Sequence, residues 1–431
     1  MTRTNLKIAA LALAVASTAA GTAHAAGFQL TEQSALGLGR AYAGIGVDGT
    51  DISGIYYNPA SMTLHTGTQV QLGGVGMGLN LEYVHADGSK NNGRAKEEFV
   101  PHGFISHQIN DSTWIGLAVT VPFGLATNYG NDFKAKDRGT DAEMLVVDFN
   151  PNMAWKLNDK FSIGAGVSFQ YVEAKFGLGH ERIHGEYEAS NNGWTYNVGM
   201  MYSPAENLRF GLSYRSEAKH KTRGTVNVDG TTGGAIDGSY NAEVTVSGPA
   251  WAMFSAAWDV NTDFSLYATV RWADWSSFKT LDTESAELTG KINGMLAMPG
   301  LPEDQKNLIT GMLPVIQGMT HIENNWKDTY LVSLGYDWRV NDFWTLRGGI
   351  AYETSPLDDS TKRTAIIPDA DRWWFAIGSS FHWTKNMQTD VGFTHLHGVH
   401  ERSLYDNNGE TIGRYRHLDA YLLGVQMQYR F

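Results

Sequence analysis

Between residues 415 and 431, Tyr421, Leu423, Val425, Met427, Tyr429 and Phe431 alternate with Gln426, Gln428 and Arg430. Successive side chains of a strand point to opposite faces, so this spacing predicts a strand with one apolar and one polar face. The same period sets Phe161, Ile163, Ala165, Val167 and Phe169 against Ser162, Gly164, Gly166, Ser168 and Gln170. It also sets Leu208, Phe210, Leu212 and Tyr214 against Arg209, Gly211, Ser213 and Arg215. Read along the whole chain, the pattern predicts strands near 68–85, 97–109, 112–122, 141–156, 160–176, 193–203, 206–223, 241–259, 262–279, 326–340, 342–354, 371–384, 387–401 and 413–431.

The connections between these strands alternate between two kinds. Tight turns carry Asn110 and Asp111, Asn158 and Asp159, residues 204–207, residues 261–263, Asn341 and Asp342, and Lys385 and Asn386, types that favour hairpins. Long connections fall between them, near 86–96, 123–140, 177–192, 224–240, 280–325, 355–370 and 402–412. Few helices are predicted to cover the apolar faces, so the solvent for those faces is lipid. The expected fold is all-β: a 14-stranded antiparallel transmembrane β-barrel with short periplasmic turns, long outer loops and a polar lumen. Trp272, Trp275, Trp338, Trp344, Trp373 and Trp383, near strand ends, are expected in interfacial girdles.

The N-terminus says which membrane. Arg3 and Lys7 precede an apolar run from Ile8 to Ala16, and Ala23, His24 and Ala25 supply the small-x-small pattern of a signal-peptidase site. Residues 1–25 are expected as a removed export signal, too short in its apolar run to span a bilayer. An exported strand-rich chain points to the bacterial outer membrane. The mean hydropathy of -0.28 is too polar for a helical membrane protein, and the absence of cysteine leaves closure of the sheet, not disulfides, to hold the fold. The net charge of -12 argues against nucleic acid as a partner.

Two regions leave the strand pattern. Residues 26–67 are Gly-rich without sustained period and too short to fold alone, and are expected as a plug for the open lumen of the barrel formed by 68–431. In the long outer loop, 280–325, Leu288, Ile292, Met295 and Leu296, then Leu308, Met312, Val315 and Ile316, recur at helical spacing, with Pro302, Glu303 and Asp304 as a helix start. These predict short amphipathic helices whose apolar face, with Met298 and Met319, either takes up apolar ligands or packs the loop onto the rim. Pro122, followed by Phe123 and Gly124, removes a ladder donor from the third strand, and either kinks the wall or ends the strand.

Several ordered segments carry a resemblance. Ala26 to Leu30, Gly37 to Tyr42, Asn58, Pro59 and Ala60, Tyr214 to Glu217, Trp275 to Phe278, Ile367 to Arg372, and Asp390 to Gly392 are similar to the FadL family of outer-membrane hydrophobic-compound transporters. The resemblance covers essentially the whole mature chain. It implies a fourteen-strand barrel with an N-terminal hatch, whose signature is Asn58, Pro59 and Ala60. It further implies an outer apolar groove, a lumen pocket touching Phe28 and Leu30, and a kinked third strand. Ligand would leave sideways through a gap at Pro122, Phe123 and Gly124, because an apolar molecule loses about 0.8 kcal/mol per methylene on crossing water. The cargo expected first is a long-chain fatty acid, and next a monoaromatic hydrocarbon. Fatty-acid members hold the carboxylate with basic residues; Ala174 to Leu178 and His321 to Trp326 lack the expected one, which leaves Arg215, Arg347, Lys327 and Arg372, or lumen arginines that only balance acids such as Glu217 and Glu353.

Other chemistries have less support. His395, His397 and His400 suggest a metal, but two imidazoles on one strand face without a placed carboxylate are more simply polar lumen or rim filling. Asp358 and Asp359 lie in a solvated charged run, and no nucleophile motif or phosphate loop is present. No enzyme activity, cofactor or metal is expected. A water-filled porin and a rim enzyme or adhesin are the competing classes. Expected partners are the hydrophobic ligand, outer-membrane lipid and the barrel-assembly machinery through the C-terminal Phe431, with the barrel a monomer.

Overall fold

The computed structural model describes residues 27–431 apart from 92–97, 130–132, 137–138, 181–182, 232–233, 304–305, 308, 311–312, 314–320, 358–361, 366, 400–402 and 407–408. Fourteen antiparallel strands form the wall: β1 (Thr68–His85), β2 (Glu98–Asn110), β3 (Thr113–Asn128), β4 (Asp141–Lys156), β5 (Phe161–His180), β6 (Ile183–Ala205), β7 (Leu208–Arg215 and Ala218–Asp229), β8 (Gly238–Gly248 and Trp251–Asp259), β9 (Phe264–Ala273), β10 (Thr329–Arg339), β11 (Trp344–Glu353), β12 (Arg372–His382), β13 (Met387–Gly398) and β14 (Thr411–Arg430). Pairing of β1 with β14, from Gln69↔Arg430 to His85↔Gly413, closes the sheet. Closure removes the edge strands that would otherwise present unpaired backbone to lipid.

The tight turns are held as their residues predict. Side-chain oxygens of Asn110, Asn158, Asn261 and Asn341 each accept a hydrogen bond at 2.9 Å from the backbone N–H two residues on, the Asx geometry that closes a hairpin. The alternation also holds. On β14, Leu423, Val425 and Met427 are exposed outward while Gln426 and Gln428 are buried inside.

Residues 27–67 fill the lumen with two one-turn helices, α1 (Ala35–Leu38) and α2 (Gly54–Tyr57), and two 3-10 turns, Ile45–Val47 and Pro59–Leu64. Hydrogen bonds tie this plug to strands around the circumference: Ala35 N to Gln426 Oε1 of β14 (2.7 Å), Gly44 N to Thr269 Oγ1 of β9 (2.9 Å), Asn58 Nδ2 to Met200 O of β6 (3.1 Å), and Trp114 Nε1 of β3 to His65 O (2.7 Å). Buried Arg40 pairs with Asp48 and, at 3.0 Å, with Asp337 of β10, its guanidinium 3.9 Å from the centre of the Tyr267 ring. Asn58 Oδ1 caps the turn at Ala60 N (3.1 Å), and Pro59 begins it. The wall makes room with glycine: a Cβ on Gly164 would meet Ala60 N at 2.6 Å, and one on Gly199 would meet Asn58 Oδ1 at 2.0 Å.

Four expectations need correction. The connection expected over 177–192 is ladder on both sides, because β5 runs to His180 and β6 starts at Ile183. Charged pairs such as Lys175 with Glu186 (2.9 Å) replace lipid-facing apolar residues there, which hides the strand period. The loop expected over 224–240 is shorter, with β7 reaching Asp229 and β8 starting at Gly238. β3 does not end at Pro122 but continues to Asn128. Trp275 is no girdle residue; a 3-10 turn, Trp275–Ser277, carries it inward, where it is fully buried. Trp338, Trp373 and Trp383 are exposed outward, while Trp272 and Trp344 are half-buried.

Candidate ligand pocket and wall opening

The β2–β3 ladder runs up from its tight turn and stops at Gly103↔Val119. Above it, among the described residues, Glu98 to His102 pair with β1, and β3 pairs with β4 after a register shift between Thr120 and Phe123. Pro122 lies inside that shift and has no N–H to give, so the wall loses its regular ladder at this point. The N-terminal peptide takes over the β3 groups that β2 leaves. Leu30 N donates to Pro122 O (2.8 Å), Gly124 N to Phe28 O (3.0 Å), Gln33 Nε2 to Val121 O (2.7 Å) and Val121 N to Gln33 Oε1 (3.2 Å). Gln29 and Phe123 thereby face each other as an isolated antiparallel bridge.

This peptide, the candidate latch, has an aromatic head. The Phe28 ring is 4.8 Å from Trp275, 5.5 Å from Phe278, and 6.0 Å from both Phe123 and Trp326 (centroid distances). Gly27 adopts φ +66°, and a Cβ there would meet Trp326 at 2.6 Å and Trp275 at 2.8 Å, so glycine alone fits against the rings. A polar chain ties both ends of the latch to the wall. Gly27 N donates to Asp369 Oδ2 (2.6 Å), Asp369 pairs with Arg372 (3.0 Å), Arg372 lies 3.6 Å from Glu353, and Arg271 bridges Glu353 (2.7 Å) to Thr31 Oγ1 (2.6 Å).

Glu32 stands apart. It is fully buried in the plug, and neither carboxylate oxygen has a hydrogen-bond partner among the described residues beyond its own backbone N–H. Burial, and secondarily Glu353, pushes its pKa up to about 7, against the pull of Arg271 and Arg372. Beneath the latch, a cavity lined by Gln29, Thr31, Tyr56, Trp251, Met253 and Arg271 measures about 10 Å³. That is room for one water at most, and an alkyl chain does not fit it in this arrangement.

The family model described as "Outer membrane protein transport protein (OMPP1/FadL/TodX)" matches residues 16–431. The chain belongs to this family. It is an outer-membrane transport protein of a family that carries hydrophobic compounds, and not an enzyme. It is 27% identical to a Salmonella typhi "Long-chain fatty acid transport protein", over 98% of this chain and 97% of that relative. It is 25% identical to the Haemophilus influenzae "Outer membrane protein P1", over 96% and 97%. Among solved structures, a Pseudomonas aeruginosa FadL homologue covers 94% of this chain and 100% of its own, with TM-score 0.77 and 22% identity. The P. putida toluene transporter TodX covers 93% and 99%, with TM-score 0.70 and 14% identity. These two likenesses carry the fold.

Within this family fold the candidate residues divide. Phe28, Leu30, Pro122, Phe123, Gly124 and Arg372 come together at the latch. Leu288 and Ile292 are buried on α3 (Ala286–Leu296), which Glu287 and Ser285 fasten to Asn241 of β8, and Met295 is partly covered; Met312 and Ile316 lie outside the described residues. Arg215 is not at the latch but beneath α2, bonded to Asp148 (3.1 Å), Asn150 (3.1 Å) and Tyr56 O (3.1 Å). Arg347 pairs with Asp337 (3.3 Å) and Asp390 (3.5 Å), and Lys327 is exposed, its N–H donating to Pro356 O (2.8 Å). Glu353 is a buried lumen acid, whereas Glu217 pairs with exposed Lys219. His395 and His397 sit on the outer face, not in the lumen; His400, Asp358 and Asp359 lie outside the described residues. Trp275, Phe278, Trp326, Arg271 and Asp369 have no sequence-predicted site role, although 275–278 and 367–372 are among the segments that match the family.

Proposed function

We propose that the protein carries long-chain fatty acids across the outer membrane, releasing them sideways through the wall between β2 and β3. Ligand collects at the outer loop around Leu288, Ile292, Met295, Met312 and Ile316, enters the lumen, displaces Phe28 from its ring cage, and leaves beside Pro122, Phe123 and Gly124 when the latch lets go of β3. The observation that carries this reading is the substitution of latch for ladder: where β2 stops pairing, residues 28–33 supply the missing hydrogen bonds. A backbone partner that can withdraw makes the opening reversible without breaking the barrel. Lateral release also spares the ligand an aqueous crossing.

A disulfide tests the latch. Gln29 and Phe123 form a non-hydrogen-bonded antiparallel pair, whose Cα atoms lie about 4.5 Å apart, within reach of a disulfide. The chain has no cysteine of its own. In a Gln29→Cys/Phe123→Cys variant, oxidation is expected to stop oleate uptake by cells and reductant to restore it to the level of Phe123→Cys alone. Unchanged uptake in the oxidised protein overturns the latch.

A second reading, a neutral monoaromatic hydrocarbon as cargo, is favoured by one observation. Arg215, Arg271 and Arg372 each already face a carboxylate, in Asp148, Glu353 and Asp369, so a ligand carboxylate meets compensated charge. Calorimetric binding of toluene without oleate would select it. Phe431, exposed at the tight-turn end with its N–H bonded to Thr68 O (2.9 Å), suits recognition by the barrel-assembly machinery. A closed barrel with its own pathway suits a monomer.

A further inference from the structure

On the outer wall, β13 and β14 bring together a set of side chains that the transport reading does not use. Pairing of His397 with Asp419, and of His395 with Tyr421, puts two imidazoles and a carboxylate on one face. His397 Nδ1 lies 2.7 Å and His395 Nε2 3.9 Å from Asp419 Oδ1, and the three ligand atoms all fall within 4.8 Å of one another. His417 Nδ1 approaches the other carboxylate oxygen at 3.6 Å.

The cluster is held, not merely adjacent. The His395 ring stacks on Tyr421 at 4.8 Å with 9° between planes and lies 6.4 Å from Phe375. Its Nε2 is buried and has no hydrogen-bond partner among the described residues. Asp419 keeps only 10% of its side-chain surface accessible. A nearly covered carboxylate beside a buried, unpartnered ring nitrogen is unfavourable on a face that otherwise presents Phe375, Phe393, Tyr421 and Leu423 to lipid. A cation bound between them removes both penalties.

We propose that His395, His397 and Asp419 bind a divalent transition-metal ion of the imidazole-preferring class, such as zinc, at the level of the outer aromatic girdle. Two nitrogens and one carboxylate oxygen, with a fourth position for water or His417, make a zinc-type set, whereas calcium and magnesium prefer oxygen alone. Tetrahedral zinc separates its ligands by about 3.3 Å, and the broad final torsion of histidine lets each ring turn to close the 3.9 Å gap. As the ion enters, the proton between His397 Nδ1 and Asp419 passes to solvent and His397 takes one up on Nε2, so that the ring binds as the neutral Nε2–H tautomer. Bound there, the metal staples β13 to β14 at the outer rim, independently of which cargo the barrel carries.

Untagged protein in detergent, stripped with chelator and titrated with zinc against a chromophoric chelator, is expected to take up one equivalent per chain, undisturbed by a thousandfold excess of magnesium. A His395→Gln/His397→Gln variant, and separately Asp419→Asn, should weaken binding at least tenfold while keeping the heat-dependent gel shift of a folded barrel. Absence of stoichiometric binding by the native chain, or equal affinity in the double variant, overturns the site.

Discussion

Phe28 is the side chain on which the pocket turns. It is the meeting point of four other rings, each at an edge-on or tilted angle, arrangements worth about 0.5–1.5 kcal/mol a pair beyond the burial itself. Those rings come from β3 and from the segments before and after the long outer loop, so displacement of Phe28 is felt at once by the wall and by the outer rim. A Phe28→Glu change puts a charge into a site that offers it only aromatic faces. The barrel, closed by its own ladder, is expected to fold and insert with its normal heat-dependent gel shift, while oleate uptake falls to the background of cells lacking the protein. Uptake at the native rate would take Phe28 off the path.

At the scale of elements, the proposed latch works against β3, and Glu32 is expected to set its pH response. The carboxyl has an ordinary pKa of 4.5 and one of about 7 in the seated latch, raised first by burial and then by Glu353, while Arg271 and Arg372 pull the other way. A raised value means that the seated latch holds the proton more tightly than the released one. Its stabilisation is therefore complete below about pH 4.5 and is lost as pH rises through about 7. Hydrogen exchange of the 28–33 amides, read by mass spectrometry, is expected to quicken relative to the barrel strands between pH 5 and pH 8 after correction for intrinsic rates. Glu32→Gln should flatten that dependence. A native protein with no such dependence would remove Glu32 as the control.

The same scale explains what could be read from sequence. The strands were legible wherever one face meets lipid and the other the lumen, as on β14, and the tight turns wherever asparagine closes them. The period fades where β5 and β6 rise above the membrane, because Lys175 and Glu186 can face water there. The ring cage was not legible as a cage, since Trp275 has the same local context as a girdle tryptophan and only the turn after β9 sends it inward. Nor does sequence place Asp419 beside His397: that needs the register of two strands joined by an outer loop. Arg215 and Arg372 were legible as candidates, but not that each already has an acid: Asp148 lies far along the chain from Arg215, and Asp369, only three residues from Arg372, sits in a segment with no strand period.

For the whole molecule, the question is whether the barrel conducts water and ions or hands apolar cargo to the bilayer. The lumen is crossed by the plug, whose hydrogen bonds reach β3, β6, β9 and β14 and whose Arg40 joins its own Asp48 to Asp337 of β10. A plug held from many sides is not expected to swing out as a unit, whereas the proposed latch, attached at the interrupted wall, is placed to move without it. The native protein in planar bilayers is therefore expected to give almost no steady current. Arg40→Met removes the cation between Asp48 and Asp337, so that Asp48 loses its ion-pair partner while Asp337 keeps Arg347, a loss of about 3–5 kcal/mol when one partner of a buried pair is removed. That variant should loosen the plug and raise conductance well above native while the fourteen-strand wall stays intact. Large steady currents from the native protein would favour a porin, and a silent Arg40→Met barrel would show that the plug is held without this ion pair.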